Sequence, residues 1–137
     1  MEIETLRTKL QYRKNYRSSD SKLLAFNLPS LVDRMKQSYT WANGELNSII
    51  LLKSPEKQII LTAIHEGTEI LSFHSNDTVT VQIVEGRLKF HHRKDSFTLN
   101  KGQLMTLDEN VKYDLTTEEE TVFLLTILNT HLKHTSN

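Results

Sequence analysis

Apolar and polar residues alternate over residues 79–83 and 87–90, on either side of Gly86, and this pattern constrains the fold more than any other feature of the chain. The apolar positions are Val79, Val81, Ile83, Leu88 and Phe90. A period of two is typical of a β-strand whose faces meet different surroundings, because successive side chains point to opposite sides. We therefore predict two strands that meet at Gly86, where glycine permits a tight turn.

Short apolar segments separated by turn residues continue this pattern along the chain. The further predicted strands are residues 49–52, 58–64, 97–99, 104–107, 111–115 and 121–128. Many short strands with turn signals between them favour an antiparallel sandwich or barrel. The pattern leaves three such folds open: a jelly roll, a lipocalin-like barrel and an immunoglobulin-like sandwich.

The segment before these strands predicts a helix packed on the barrel. Leu23–Phe26 is apolar and predicts a short strand. Ser30 and Asp33 then predict a helix start, since a hydroxyl caps free amides and an acid suits the first turn. Asn43–Gly44 predicts its end, and the apolar stripe of the helix, with Trp41, is expected to cover one side of the barrel.

The two ends of the chain are expected to lie outside the main domain. Residues 1–20 carry Arg and Lys residues interleaved with Leu and Tyr. We interpret them as a loosely docked helical arm rather than a nucleic-acid-binding segment. Residues 129–137 are predicted to be a C-terminal tail.

Charge and composition exclude several classes of protein. The 17 Lys and Arg residues balance 17 Asp and Glu residues, so no global field attracts nucleic acid or an anionic membrane. Cysteine is absent, which excludes thiolate metal sites and thiol catalysis and suits a reducing compartment. The N-terminus does not match a signal peptide, and no run is long enough to span a bilayer. A single cytoplasmic domain with no nucleic-acid or membrane partner is expected.

Gly67, His74 and the strand that ends at Glu85–Gly86 resemble the first motif of the cupin superfamily, and the resemblance covers residues 46–128. It implies an all-β fold, the cupin-type double-stranded β-helix (a jelly-roll barrel), with an N-terminal helical segment. The implied single domain spans residues 21–128, with the helix at about 30–42 and the barrel at about 46–128.

A closer resemblance is to a subgroup of small bacterial cupins. They share a leading helix and segments similar to His65–Glu69, Val81–Gly86 and Val122–Ile127. The resemblance implies a homodimer and brings no established reaction.

The positions of the usual cupin metal ligands are altered in this chain. The glutamate of the first motif corresponds to Val79, and the histidine of the second motif corresponds to Tyr113. Of the first motif's histidines, His74 or Ser75 occupies one position. The resemblance therefore implies a cupin without a metal or other cofactor, and the alternative is a degenerate metal site that combines His74 with His65.

The leading functional hypothesis is binding of a small molecule in the barrel pocket without catalysis. The predicted pocket residues are His74, Val79, Val81, Ile83 and Tyr113. One alternative is a metal-independent enzyme similar to cupin epimerases and isomerases, with His65 or His74 as the base and Tyr113 as the acid. Another is a sensory or regulatory cupin whose basic arm contacts a macromolecular partner.

A two-fold homodimer is expected from the apolar strands near the start of the barrel. Ile49–Leu52 and Ile59–Ile64 offer more apolar surface than one barrel interior takes, because alternate residues point outward. An uncovered outer face would exceed what soluble monomers usually expose. The expected interface buries on the order of 1,500 Å² or more in total.

Overall fold

The computed structural model describes residues 23–129, so the predicted arm (residues 1–20) and residues 130–137 of the predicted tail lie outside the described residues. Within this range the chain forms two helices, α1 (Leu28–Lys36) and α2 (Tyr39–Ala42), and nine strands. The strands are β1 (Asn47–Lys53), β2 (Lys57–Ile64), β3 (Glu69–Phe73), β4 (Thr78–Glu85), β5 (Arg87–His92), β6 (Asp95–Asn100), β7 (Leu104–Leu107), β8 (Tyr113–Thr116) and β9 (Thr121–Leu128). Neither helix is long and apolar enough to cross a membrane.

The strands build two antiparallel sheets that face each other. The five-stranded sheet has the order β1-β2-β9-β4-β7, and the four-stranded sheet has the order β3-β8-β5-β6. Apolar side chains from both sheets pack into one continuous cluster between them. The predicted all-β jelly roll with an N-terminal helical segment is confirmed.

The two sheets are connected directly at Gly86, and this connection defines the two ends of the molecule. β4 ends and β5 begins on either side of Gly86, although the strands belong to different sheets. Both strands therefore extend away from this glycine in the same spatial direction, so the start of β4 and the end of β5 lie together. These two ends are called the Gly86 end and the His92 end.

The helices cover the outer face of the five-stranded sheet. Val32 and Met35 of α1 and Trp41 of α2 are buried in a second apolar cluster against this face. The sheet contributes Ile49, Leu51, Leu61, Ala63 and Val122, each no more than 2% exposed. The apolar surface from which a homodimer was expected is thus buried within the chain itself, and that physical argument for a dimer no longer applies.

The helical segment differs in detail from the predicted helix at about residues 30–42. It begins at Leu28, because the Asn27 side chain accepts a hydrogen bond from the Ser30 amide (3.1 Å) and so acts as the cap expected of Ser30. It breaks after Lys36, and Ser38 caps the separate short helix α2 through the Trp41 amide. Leu23–Phe26, predicted as a strand, has no regular secondary structure.

Lys36 connects the last turn of α1 to the Gly86 end of the sheet. Its Nζ lies 2.8 Å from Glu85 Oε2 and 2.9 Å from Glu120 Oε2. Burial lowers the pKa of Lys36, but hydrogen bonds and charge attraction from the two carboxylates outweigh burial and raise the pKa above its ordinary value of 10.5. The charged ammonium is therefore favoured in the folded chain.

We expect this ion cluster to stabilise the fold below pH 10.5 and to lose its effect as the pH rises through the raised pKa of Lys36. The contribution should stay below about 1 kcal/mol, because both carboxylates are partly solvated. Urea unfolding of the wild type and Lys36→Gln at neutral and at strongly alkaline pH measures it. The free-energy difference between the two chains should shrink at alkaline pH, and a constant difference would contradict the assignment.

Candidate functional site

One wall of the candidate site is a row of residues at the His92 end of the four-stranded sheet. Tyr113 on β8 lies opposite Phe73 on β3, and His92 on β5 lies opposite Asp95 on β6. The rings of His92 and Tyr113 are 5.5 Å apart. Because His92 follows buried Phe90 by two positions, its side chain is on the face of β5 that looks toward the other sheet.

The opposite wall is a row at the same end of the five-stranded sheet. Gln58 on β2 lies opposite Ile127 on β9, which in turn lies opposite Val79 on β4. Directly opposed residues of an antiparallel pair project to the same face of the sheet. Ile127 and Val79 belong to the cluster between the sheets, so Gln58 also projects between the sheets.

Gln58 is the unusual residue of this row. Its Oε1 atom is buried, yet it has no hydrogen-bond partner among residues 23–129. Buried amide oxygens are nearly always paired, since losing water without a replacement costs free energy. Gln58 on one sheet, and His92 and Tyr113 on the other, lie at the same end of the barrel and are called the end cluster below.

A hydrogen bond to the backbone determines which ring nitrogen of His92 can accept a hydrogen bond from a ligand. Its Nδ1 lies 3.2 Å from the carbonyl oxygen of Lys112, and a carbonyl oxygen only accepts, so Nδ1 donates. In the neutral imidazole, Nε2 is then the acceptor. Tyr113 adds a phenol that can donate or accept, and its ring also meets Phe90 edge-on at 6.2 Å.

His74 occupies a different position from the one predicted. It follows Phe73, which is fully buried between the sheets, and successive side chains on a strand point to opposite faces. The His74 side chain therefore lies on the other face of β3 from Phe73, where its Nδ1 donates to the carbonyl oxygen of Ser72 (2.7 Å). The Ser72 amide in turn donates to Asp114 Oδ1 (3.0 Å). His74 does not share the inter-sheet face with Tyr113.

His65 lies at the opposite end of the molecule from His74 and Tyr113. The preceding residue, Ile64, pairs with Thr121 close to Gly86. The His65 ring stacks on Trp41 with ring centroids 3.5 Å apart, on the side of the sheet that the helices cover. The structure therefore separates His65 from Tyr113, its proposed acid partner, and from His74, its proposed partner in a metal site.

Three predicted pocket residues are packed rather than accessible. Val79, Val81 and Ile83 are at most 1% exposed, and Val81 and Ile83 lie deeper toward the Gly86 end. Tyr113 is 7% exposed. In the part of the chain that the structure describes, no three His, Cys, Asp or Glu side chains converge in a way that could hold a metal ion.

Gln58 was missed by the sequence analysis, and His92 was not among the predicted site residues. The signal for Gln58 was present, because it is in phase with the inward residues Ile60 and Ile64 along β2. A polar residue at an inward position of an apolar strand indicates a buried polar atom that needs a partner. The contact between His92 and Tyr113 depends on the pairing of β5 with β8, which no local pattern shows.

Comparison with known proteins identifies the fold. No model of a known protein family matches the sequence, and no curated protein matches it. A cupin superfamily protein from Desulfitobacterium hafniense superposes with a TM-score of 0.64 at 15% identity, covering 85% of this chain and 96% of that chain. A protein containing a cupin-2 domain from Shewanella frigidimarina gives a TM-score of 0.62 at 14% identity, with coverages of 77% and 95%.

A third solved structure, a cupin 2 conserved barrel domain protein from Leptotrichia buccalis, gives a TM-score of 0.63 at 21% identity. The match covers 76% of this chain and 47% of that one. At such identities the likeness concerns the fold, and it agrees with the two-sheet topology described above.

Proposed function

We propose that this chain, which has the cupin fold, binds a small polar molecule at the His92 end of its barrel and does not transform it. The end cluster of Gln58, His92 and Tyr113 would supply the polar contacts. Val79 and Ile127, which are packed between the sheets, would close the barrel beneath the ligand. A few polar groups beside apolar side chains are the usual composition of a small-molecule site.

The observation that carries this proposal is the unpaired Oε1 of Gln58. A buried acceptor without a partner costs about 1–3 kcal/mol. A ligand N–H or O–H group that reached this atom would recover that free energy, so the ligand should carry at least one such donor. Nε2 of His92 is a second acceptor at the same end, which favours a molecule with several N–H or O–H groups.

The enzyme alternative with His65 or His74 as the base is not supported by where these two residues lie. A general base and a general acid must both reach one substrate within hydrogen-bond distance. His65 stacks on Trp41 outside the inter-sheet space, and His74 lies on the other face of β3 from Tyr113's partner Phe73. Neither histidine proposed as the base faces the space that Tyr113 faces.

The test is a pair of variants in the end cluster. Gln58→Leu keeps the size of the side chain and removes the unpaired oxygen, so we expect it to raise the free energy of unfolding by about 1 kcal/mol. The same change should weaken ligand binding at least about tenfold, because it removes the acceptor that the ligand satisfies. Tyr113→Phe should also weaken binding. Urea unfolding and ligand-observed NMR with a library of polar metabolites measure the two effects.

Gln82→Leu is the matched control, since Gln82 is an exposed glutamine on β4. It should bind like the wild type. Mass spectrometry of small molecules before and after incubation checks that the bound compound is unchanged, and turnover would refute the non-catalytic assignment. Binders that keep their affinity for both Gln58→Leu and Tyr113→Phe would show that the end cluster is not the site.

A further inference from the structure

A groove of about 120 Å³ lies on the outer face of the four-stranded sheet, away from the space between the sheets. It is lined by Arg87, Lys89, Thr98, Thr116 and Glu118. This volume is several times the roughly 10–15 Å³ that a single water molecule needs on this measure, so a group of several atoms fits.

Strand alternation places the cations in this groove. Leu88 and Phe90 of β5 are fully buried between the sheets, so Arg87 and Lys89 project from the opposite face. Two positions along a strand span roughly 6.6 Å, which sets the backbone separation of the two cations. They can therefore contact one ligand between them.

Pairing with the neighbouring strands places a hydroxyl on each side of Lys89. Thr98 on β6 and Thr116 on β8 both lie directly opposite Lys89. The Thr116 hydroxyl is 3.2 Å from Nε2 of His91, which projects from the same face. When His91 donates this hydrogen bond, the Thr116 proton is free to point at a ligand.

Acidic groups on this face oppose anion binding only partly. Glu118 Oε2 is 3.8 Å from a guanidinium nitrogen of Arg87, which is longer than a hydrogen bond, and both side chains are more than half exposed. Asp114 Oδ1 accepts a hydrogen bond from the Ser72 amide, which partly offsets its negative charge. Glu69 lies opposite Thr116, two strands from Lys89 and so roughly 9–10 Å away.

We propose that this groove, Arg87–Lys89–Thr98–Thr116, binds a phosphate group, either as inorganic phosphate or on a small phosphomonoester. Two cations on adjacent outward positions match a doubly charged oxyanion, whereas a carboxylate carries a single charge. The three terminal oxygens of a phosphate group accept hydrogen bonds from the ammonium, the guanidinium and the two hydroxyls. Glu118 competes with the anion for Arg87 and so limits the affinity.

The test is titration of the full chain with inorganic phosphate at constant ionic strength, followed by amide NMR. We expect saturable shifts centred on β5 and its neighbours β6 and β8. Lys89→Gln should weaken binding at least about tenfold through loss of a charge-assisted hydrogen bond. Glu118→Gln should strengthen binding roughly two- to fivefold, because the competing carboxylate is removed.

Lys57→Gln is the control, since Lys57 is an exposed cation on β2 of the other sheet and its loss should leave the affinity unchanged. A parallel titration with methyl phosphate separates the two sources: binding at least as tight as that of inorganic phosphate assigns the groove to a phosphomonoester, and binding of inorganic phosphate alone assigns it to the free ion. The proposal is overturned by non-saturable shifts, or by equal weakening in Lys89→Gln and Lys57→Gln.

Discussion

Replacing Gly86 with alanine is expected to lower the free energy of unfolding by about 2–5 kcal/mol. This combines a backbone cost of about 1–2 kcal/mol with an overpacking cost of about 1–3 kcal/mol. The backbone cost arises because Gly86 has a φ of +78°, which side chains other than glycine rarely adopt. The overpacking cost arises because a Cβ would collide with the Glu120 carbonyl oxygen, and would lie 2.6 Å from Thr121 Oγ1 and 2.9 Å from its Cα.

The collision cannot be relieved by rotating a side chain. Thr121 is fully buried, its hydroxyl donates to the carbonyl oxygen of Arg87 (2.9 Å), and it also bonds to the Thr117 hydroxyl (2.8 Å). Moving this strand away from Gly86 would break hydrogen bonds that connect the two sheets. The cost should therefore appear as lost stability of the whole barrel.

Gly102→Ala is the matched control for this prediction. Gly102 has a similar φ of +86°, but nothing lies within 4 Å of a Cβ built there. It should cost only about 1–2 kcal/mol, the backbone contribution alone. Urea unfolding followed by circular dichroism measures both variants. Equal losses would show that the close approach at Gly86 contributes nothing.

The strands were predictable because alternation reports directly which residues point inward. The predicted bounds of β7 and β9 agree with the structure. β3 was not predicted as a strand, and the reason is local. Its buried residues Ile70 and Phe73 are three positions apart, because the pairing register shifts between them and Ser72 adopts a φ of +54°. The shift disrupts the period of two on which the prediction depends.

The candidate sites were less predictable than the fold, because they depend on pairing between distant segments. Lys89 lies between Thr98 and Thr116 only because β5 pairs with both β6 and β8. His65 was considered as a metal ligand or base only for the case in which it pointed into the barrel, and no sequence pattern indicated that Trp41 would stack on it. A strand pattern predicts the face on which a residue lies, and it does not predict which distant residue covers that face.

Replacing Trp41 with alanine is the second large effect we expect, a loss of about 3–5 kcal/mol in the free energy of unfolding. Trp41 is 7% exposed and packs with Val32 and Met35 against the outer face of the five-stranded sheet. Its ring also stacks on His65 at 3.5 Å with an interplanar angle of 19°. The truncation leaves a cavity beneath α2, a helix of only four residues that has little stability of its own.

The same change should promote self-association, because it uncovers the surface that the helices bury. Leu61 and Ala63 are fully buried in the cluster that Trp41 covers, and exposed apolar patches of this kind drive association. Light scattering should therefore show a larger mass for Trp41→Ala than for the wild type at equal concentration. Trp41→Phe, which retains a ring, should show a smaller effect on both stability and mass.

Tyr39→Ala is the control within the same helix, since Tyr39 is 80% exposed. It should change the free energy of unfolding by no more than about 0.5 kcal/mol and leave the mass unaltered. His65→Ala should fall between the two variants, at about 1 kcal/mol, because it removes the ring stack but leaves Trp41 on the sheet. If Trp41→Ala has the same free energy of unfolding as Tyr39→Ala and keeps the wild-type mass, then Trp41 is not needed to keep the outer face of the five-stranded sheet covered.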